Sequence, residues 1–176
     1  SSGGGVSMLS SSTLANSDFY TGAFPAEYGN AISGVFDLSF RNGNNQKREY
    51  AFMVGALGVE ASMEGPFSPK SEGSYLINYR YSTTAVLKPF LQSSLGDVVP
   101  VYQDLSFKVN LPTKKAGTFS LFGLGGTNHA SENFETDSTL WESNDDAESF
   151  TADSRKGVIG VNHRILISDK GYLKTV

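Results

Sequence analysis

The chain has 176 residues, a formal net charge of −4 and no cysteine, with 19 glycines, 12 phenylalanines and 8 tyrosines. The lack of cysteine excludes a disulfide scaffold and a thiolate metal site, and the acidic balance speaks against nucleic acid as a partner. Abundant aromatics and glycines, with 39% hydrophobic residues, favour β structure with many turns.

Residues 1–21 are rich in Ser and Gly. Ser11, Ser12 and Thr13 are suitable N-caps for a brief helical turn over Leu14-Ala15-Asn16. A short strand is expected over Asp18 to Ala23, ending in Gly22, then a corner at Pro25, a turn at Tyr28-Gly29 and a new strand after Gly34. Asn42 to Asn45 is a turn cluster.

From there the pattern is regular. Strands are expected over 48–54 and 59–65, joined by a short hairpin at 55–58. In the second, Val59, Ala61 and Met63 alternate with Glu60, Ser62 and Glu64. In 74–82, Tyr75, Ile77, Tyr79 and Tyr81 oppose Asn78, Arg80 and Ser82. The cleanest alternation is in 101–111, with Leu105, Phe107, Val109 and Leu111 on one face and Asp104, Ser106, Lys108 and Asn110 on the other. A glycine-rich strand over 117–126, an acidic loop over 127–153 and a strand over 154–168 follow, and a tight turn at 169–171 opens another strand.

Several of these strands have the 9–11 residues a tilted strand needs to cross a bilayer. Short turns at 66–73, 112–116 and 169–171 alternate with longer connections at 83–100 and 127–153, as in an outer-membrane barrel. The hairpin at 55–58 departs from that rule. The other reading of the same periodicity is a soluble or surface-anchored β-sandwich that binds a partner.

The run Ser17 to Leu38, SDFYTGAFPAEYGNAISGVFDL, resembles the end of the plug domain of TonB-dependent outer-membrane receptors. Gly22, Pro25, Tyr28, Gly29 and Gly34 carry the resemblance, with a glycine-ended strand, a Tyr-Gly turn and a Gly-Val entry into the last plug strand. Arg41-Asn42-Gly43 stands where such receptors link plug to barrel, and Val54 to Gly58 is similar to the first barrel hairpin, whose short outer turn fits the exception above. The wording is similar to the branch that often carries a carboxypeptidase-like regulatory domain.

The resemblance implies an all-β fold, with the C-terminal part of a plug domain in residues 1–41 and about six or seven N-terminal strands of a partial transmembrane antiparallel β-barrel in residues 42–176. It implies import of a scarce small ligand across the outer membrane, lipid around the barrel, and TonB as a partner through an upstream region. The chain starts within a Ser/Gly stretch and stops within an expected strand, so it reads as a piece of a longer protein.

Glu60, Glu64 and Arg80 are the candidate lumen-facing charges, with a Glu64–Arg80 pair expected if their faces point inward. Phe134 and Trp141 are candidate ligand contacts in the acidic loop. Asn144, Asp145, Asp146 and Glu148 match no calcium-loop spacing, so that loop is read as a solvated external segment. His129 and His163 have no partner motif, and no catalytic triad, paired carboxylate or metal-ligand spacing occurs. Neither an enzyme nor a cofactor is expected.

Overall fold

The computed structural model describes residues 9–22, 25, 28–29, 33–55, 58–82, 101–132 and 150–176. Seven strands form one antiparallel sheet in sequence order: β3 (Glu49–Val54), β4 (Val59–Pro66), β5 (Ser74–Tyr81), β6 (Val101–Pro112), β7 (Thr118–Glu132), β8 (Phe150–Ser168) and β9 (Gly171–Thr175). Before them, β1 (Asp18–Tyr20) pairs with β2 (Val35–Asp37). The fold is all-β, and each neighbour in the large sheet is the next strand among the described residues.

The alternation read from the sequence sets the two faces. Leu105 lies opposite Tyr79 and Gly125, and Phe107 opposite Ile77 and Gly123, so the apolar residues of β5 and β6 share a face. On the other face, Asp104 lies opposite Arg80 and Gly126, and Asn78 opposite Ser62 and Ser106.

Burial follows these faces in an unusual sense. Ser74, Asn78, Ser82, Asp104 and Ser106 are buried on the polar face, where Leu76 is the buried hydrophobic residue. Large residues of the apolar face stand open, with Tyr50 70%, Phe52 72% and Ile159 69% exposed. A water-soluble sheet normally buries the reverse set.

Several strands run further than the sequence pattern marked. β7 has 15 residues and β8 has 19, so residues 127–132 and 150–153 belong to strands instead of the expected loop. Their side chains are polar enough to mimic a loop, and cross-strand pairing overrides that local signal. The brief helical turn is also displaced. It covers Ser11–Thr13, with Ser10 as its N-cap accepting from the backbone N–H of Ser12. Leu14 instead bridges to Phe40.

Glycines enable two close approaches. Gly117 has φ +79° in the turn after β6, a conformation that L side chains rarely adopt. Gly43 crosses so close to the backbone of Tyr75 that a Cβ there would collide with the Tyr75 carbonyl. That contact seats the link between the two sheets directly on β5.

Candidate functional site

Ser10, Ser12, Phe40 and Arg41 meet the large sheet on its polar face, at side chains that the strand period aims there. Glu60 is the centre. Its Oε1 accepts from Ser12 Oγ at 2.6 Å, Asn78 Nδ2 at 2.7 Å and Ser10 Oγ at 2.9 Å. One carboxylate oxygen thus joins the Ser10–Thr13 turn to two strands. Asn78 is fully buried, and its Oδ1 has no hydrogen-bond partner among the described residues.

A second contact lies four residues further along β4, at Glu64. Arg41 Nη1 and Nη2 donate to Glu64 Oε2 and Oε1, each at 2.7 Å, a bidentate fork. Arg41 Nε donates to the Ser12 carbonyl at 2.7 Å, and the Asn44 backbone N–H donates to Glu64 Oε2 at 2.7 Å. The hydrogen bond to Glu64 raises the Arg41 pKa above its ordinary value, with burial opposing it. Asn44 Nδ2 also reaches Glu49 Oε2 at 2.7 Å. Residues 41–44 are therefore bonded to the first two strands of the sheet instead of spanning open solvent.

Further along the same face, Arg80 grips Asp104 through Nε at 2.9 Å and Nη2 at 2.8 Å, with Asp104 only 4% exposed. The Arg80 guanidinium also lies 5.9 Å from the Tyr102 ring centroid. Lys108 Nζ donates to the Phe40 carbonyl at 2.6 Å, and the Phe40 ring sits 6.2 Å from that of Phe122.

Comparison with family models, with curated proteins and with solved structures returned no match.

The sequence-derived candidates fall in three groups. Glu60, Glu64 and Arg80 all occupy the polar face, but the Glu64–Arg80 pair does not form. The register sets Arg80 opposite Glu60 and Glu64 opposite Leu76, so Glu64 takes Arg41 and Arg80 takes Asp104. Of the plug-motif residues, Pro25 accepts from the Tyr28 backbone N–H at 3.0 Å, Gly29 continues that turn, and the Tyr28 ring lies 5.7 Å from that of Tyr20. Gly34 lies against Phe19, whose ring a Cβ would meet at 3.1 Å, so close approach and not a left-handed turn explains it. A Cβ at Gly22 would have nothing within 4 Å. Phe134 and Trp141 lie outside the described residues.

The sequence marks Ser12 only as a cap, Arg41 only as a link residue and Asn78, Asp104 and Lys108 only as members of a polar face, and it gives Ser10 no signal. Strand parity placed Asn78, Asp104 and Lys108 on a polar face. Their partners, separated by as many as 68 positions for Lys108 and Phe40, carried no local signal.

Chemically, the arrangement is a latch. It combines the bidentate Arg41–Glu64 pair, a carboxylate shared by two hydroxyls, and an ammonium on a carbonyl. These bonds hold the segment that contains Ser10, Ser12 and Arg41 against the sheet wall.

Proposed function

We propose that this chain is part of a TonB-dependent outer-membrane receptor, with residues 1–41 ending the plug and residues 42–176 supplying the first barrel strands. The inverted burial carries the reading. Asn78, Ser74, Ser82, Asp104 and Ser106 are withdrawn from solvent, while Tyr50, Phe52, Ile159, Val161 and Ile167 are left open. A strand that faces lipid on one side and a polar lumen on the other has that pattern. In hydrocarbon every backbone polar group must be paired, and a closed barrel meets that demand. Further strands of a longer chain, joining β3 and β9, would close it.

The latch supports the plug assignment. Ser10, Ser12 and Arg41 bond to the face that becomes the lumen wall, so the docked segment occupies the channel. On this reading the receptor binds a scarce small ligand and imports it through movement of the plug, driven by TonB through the upstream region, with outer-membrane lipid around the apolar face.

The experiment is to refold the full-length chain into liposomes and compare its electrophoretic migration with and without boiling. Faster migration of the unboiled, membrane-inserted form is expected. A cooperative thermal melt of residues 1–176 in plain buffer, with no detergent, would overturn the assignment in favour of a soluble sandwich.

A further inference from the structure

A second cluster on the polar face lies near the short turns, away from Glu60. A cavity of about 580 Å³ opens there between the Ser39–Asn42 segment and β6, β8 and β9. Three cations line it from three strands: Lys108, Arg164 and Lys174. The other lining residues include Asn42, Asn110 and Asn162, and no Asp or Glu is among the lining residues.

Two of these cations are placed against each other. Arg164 and Lys174 are direct cross-strand partners in the β8–β9 ladder. Like charges at directly opposed positions destabilise a sheet. Among the described residues neither forms an ion pair. The chain as a whole is acidic, at −4, so a general excess of basic residues does not explain the cluster. Arg164 is braced by the Tyr172 ring, 4.5 Å from its centroid. A braced guanidinium, the Lys174 ammonium and the Lys108 ammonium, which keeps donors beyond the one given to the Phe40 carbonyl, form a donor set suited to an oxyanion, which a guanidinium meets in bidentate fashion.

We propose that this cavity binds the oxyanion group of a small molecule. Joined to the receptor reading, on which this extension rests, it makes the imported ligand a carboxylate- or phosphate-bearing anion, held at the short-turn end of the lumen as it leaves.

The test is calorimetric titration of the full-length chain in detergent micelles at low salt, with citrate and pyrophosphate as probes and glucose as the neutral control. Binding of at least one anion is expected, and the preferred anion distinguishes carboxylate from phosphate cargo. Arg164→Gln and Lys174→Gln should each weaken it roughly ten- to a hundredfold, with Arg164→Lys intermediate. Raising the salt should weaken it further. Lys174→Gln should also raise the melting temperature of the anion-free protein, because it removes the opposed like charge. Equal affinity in wild type and variants, or no binding of either anion, overturns the site. Liposome insertion of the same preparation keeps the two ideas separate. Insertion without anion binding defeats the cavity proposal alone. Anion binding that depends on Arg164, in a chain that does not insert, upholds the cavity and defeats the membrane reading.

Discussion

Arg41 and Glu64 form a two-point ion pair across the link between the docked segment and the sheet, with both nitrogen–oxygen distances 2.7 Å. Their side chains are 35% and 14% exposed, so solvent screens the pair only in part. Glu64 also accepts the Asn44 backbone N–H, and Arg41 also donates to the Ser12 carbonyl. Removing either side chain thus frees groups on both sides of the contact. Glu64→Ala and Arg41→Ala should each cost roughly 1–3 kcal/mol. The double variant should cost clearly less than the sum, because the two residues share one interaction. Hydrogen exchange at Thr13, Leu14 and Ala15 should accelerate in each single variant. Additive costs with unchanged exchange would mean that the pair does not hold the segment.

Arg80 and Asp104 are the deeper pair, at 14% and 3% side-chain exposure. Losing one partner leaves a largely buried charge without its bidentate counter-ion, which costs about 3–5 kcal/mol. Asp104→Ala should therefore lower stability more than Glu64→Ala does, as measured by urea unfolding of the micelle-bound protein. Arg80→Met with Asp104→Leu, which removes both charges at similar volume, should recover most of that loss. If the paired apolar variant is as unstable as Asp104→Ala, desolvated charge is not the source of the cost.

Much of the sheet was legible in the sequence because its faces differ so sharply. Leu105, Phe107, Val109 and Leu111 alternate with Asp104, Ser106, Lys108 and Asn110, and the ladder keeps those sets apart. Residues 127–132 and 150–153 read as loop in the sequence because acidic and small side chains mask a strand's period. Only the register reveals that His129 lies opposite Asp153, with Nδ1 and Oδ1 2.7 Å apart. His163, which has no partner motif in the sequence, stacks on Phe119 at 4.2 Å and reaches the Ala116 carbonyl through Nε2 at 2.7 Å. The latch was less legible still. Glu60, Glu64 and Arg80 were picked out by parity, but which cation meets which carboxylate depends on where Arg41 lands after the chain crosses from one sheet to the other. Local pattern contains no term for that crossing.

Gly123 and Gly125 sit two positions apart on the apolar face and should respond differently to one methyl group. A Cβ at Gly123 would meet the Phe107 ring at 2.5 Å, whereas at Gly125 the nearest atom is the Lys156 carbonyl oxygen at 3.6 Å. Gly123→Ala should push the Phe107 ring from its place and destabilise by about 1–3 kcal/mol. Gly125→Ala fits in ordinary contact and restricts the unfolded chain, so it should be neutral or stabilising by up to about 1 kcal/mol. Unfolding midpoints of the two variants in the same detergent check this, and equal midpoints would mean that Phe107 does not lie over Gly123.

Val158 and Ile159 are adjacent in β8 and almost equally open, at 57% and 69%. They face opposite ways, since Ile159 lies opposite Gly123 on the apolar face and Val158 lies opposite Leu124 on the other. In water, Arg at either position would reach solvent, and both variants should behave alike. In a bilayer, only the residue on the apolar face meets hydrocarbon. Ile159→Arg should therefore reduce folding stability in lipid by about 2–4 kcal/mol if it sits near the midplane. Val158→Arg, projecting into a polar lumen, should change it little. The contrast is read from urea-dependent folding into liposomes, with tryptic protection of the inserted form as the signal. Equal effects at the two positions would remove the physical basis for assigning one face of this sheet to lipid.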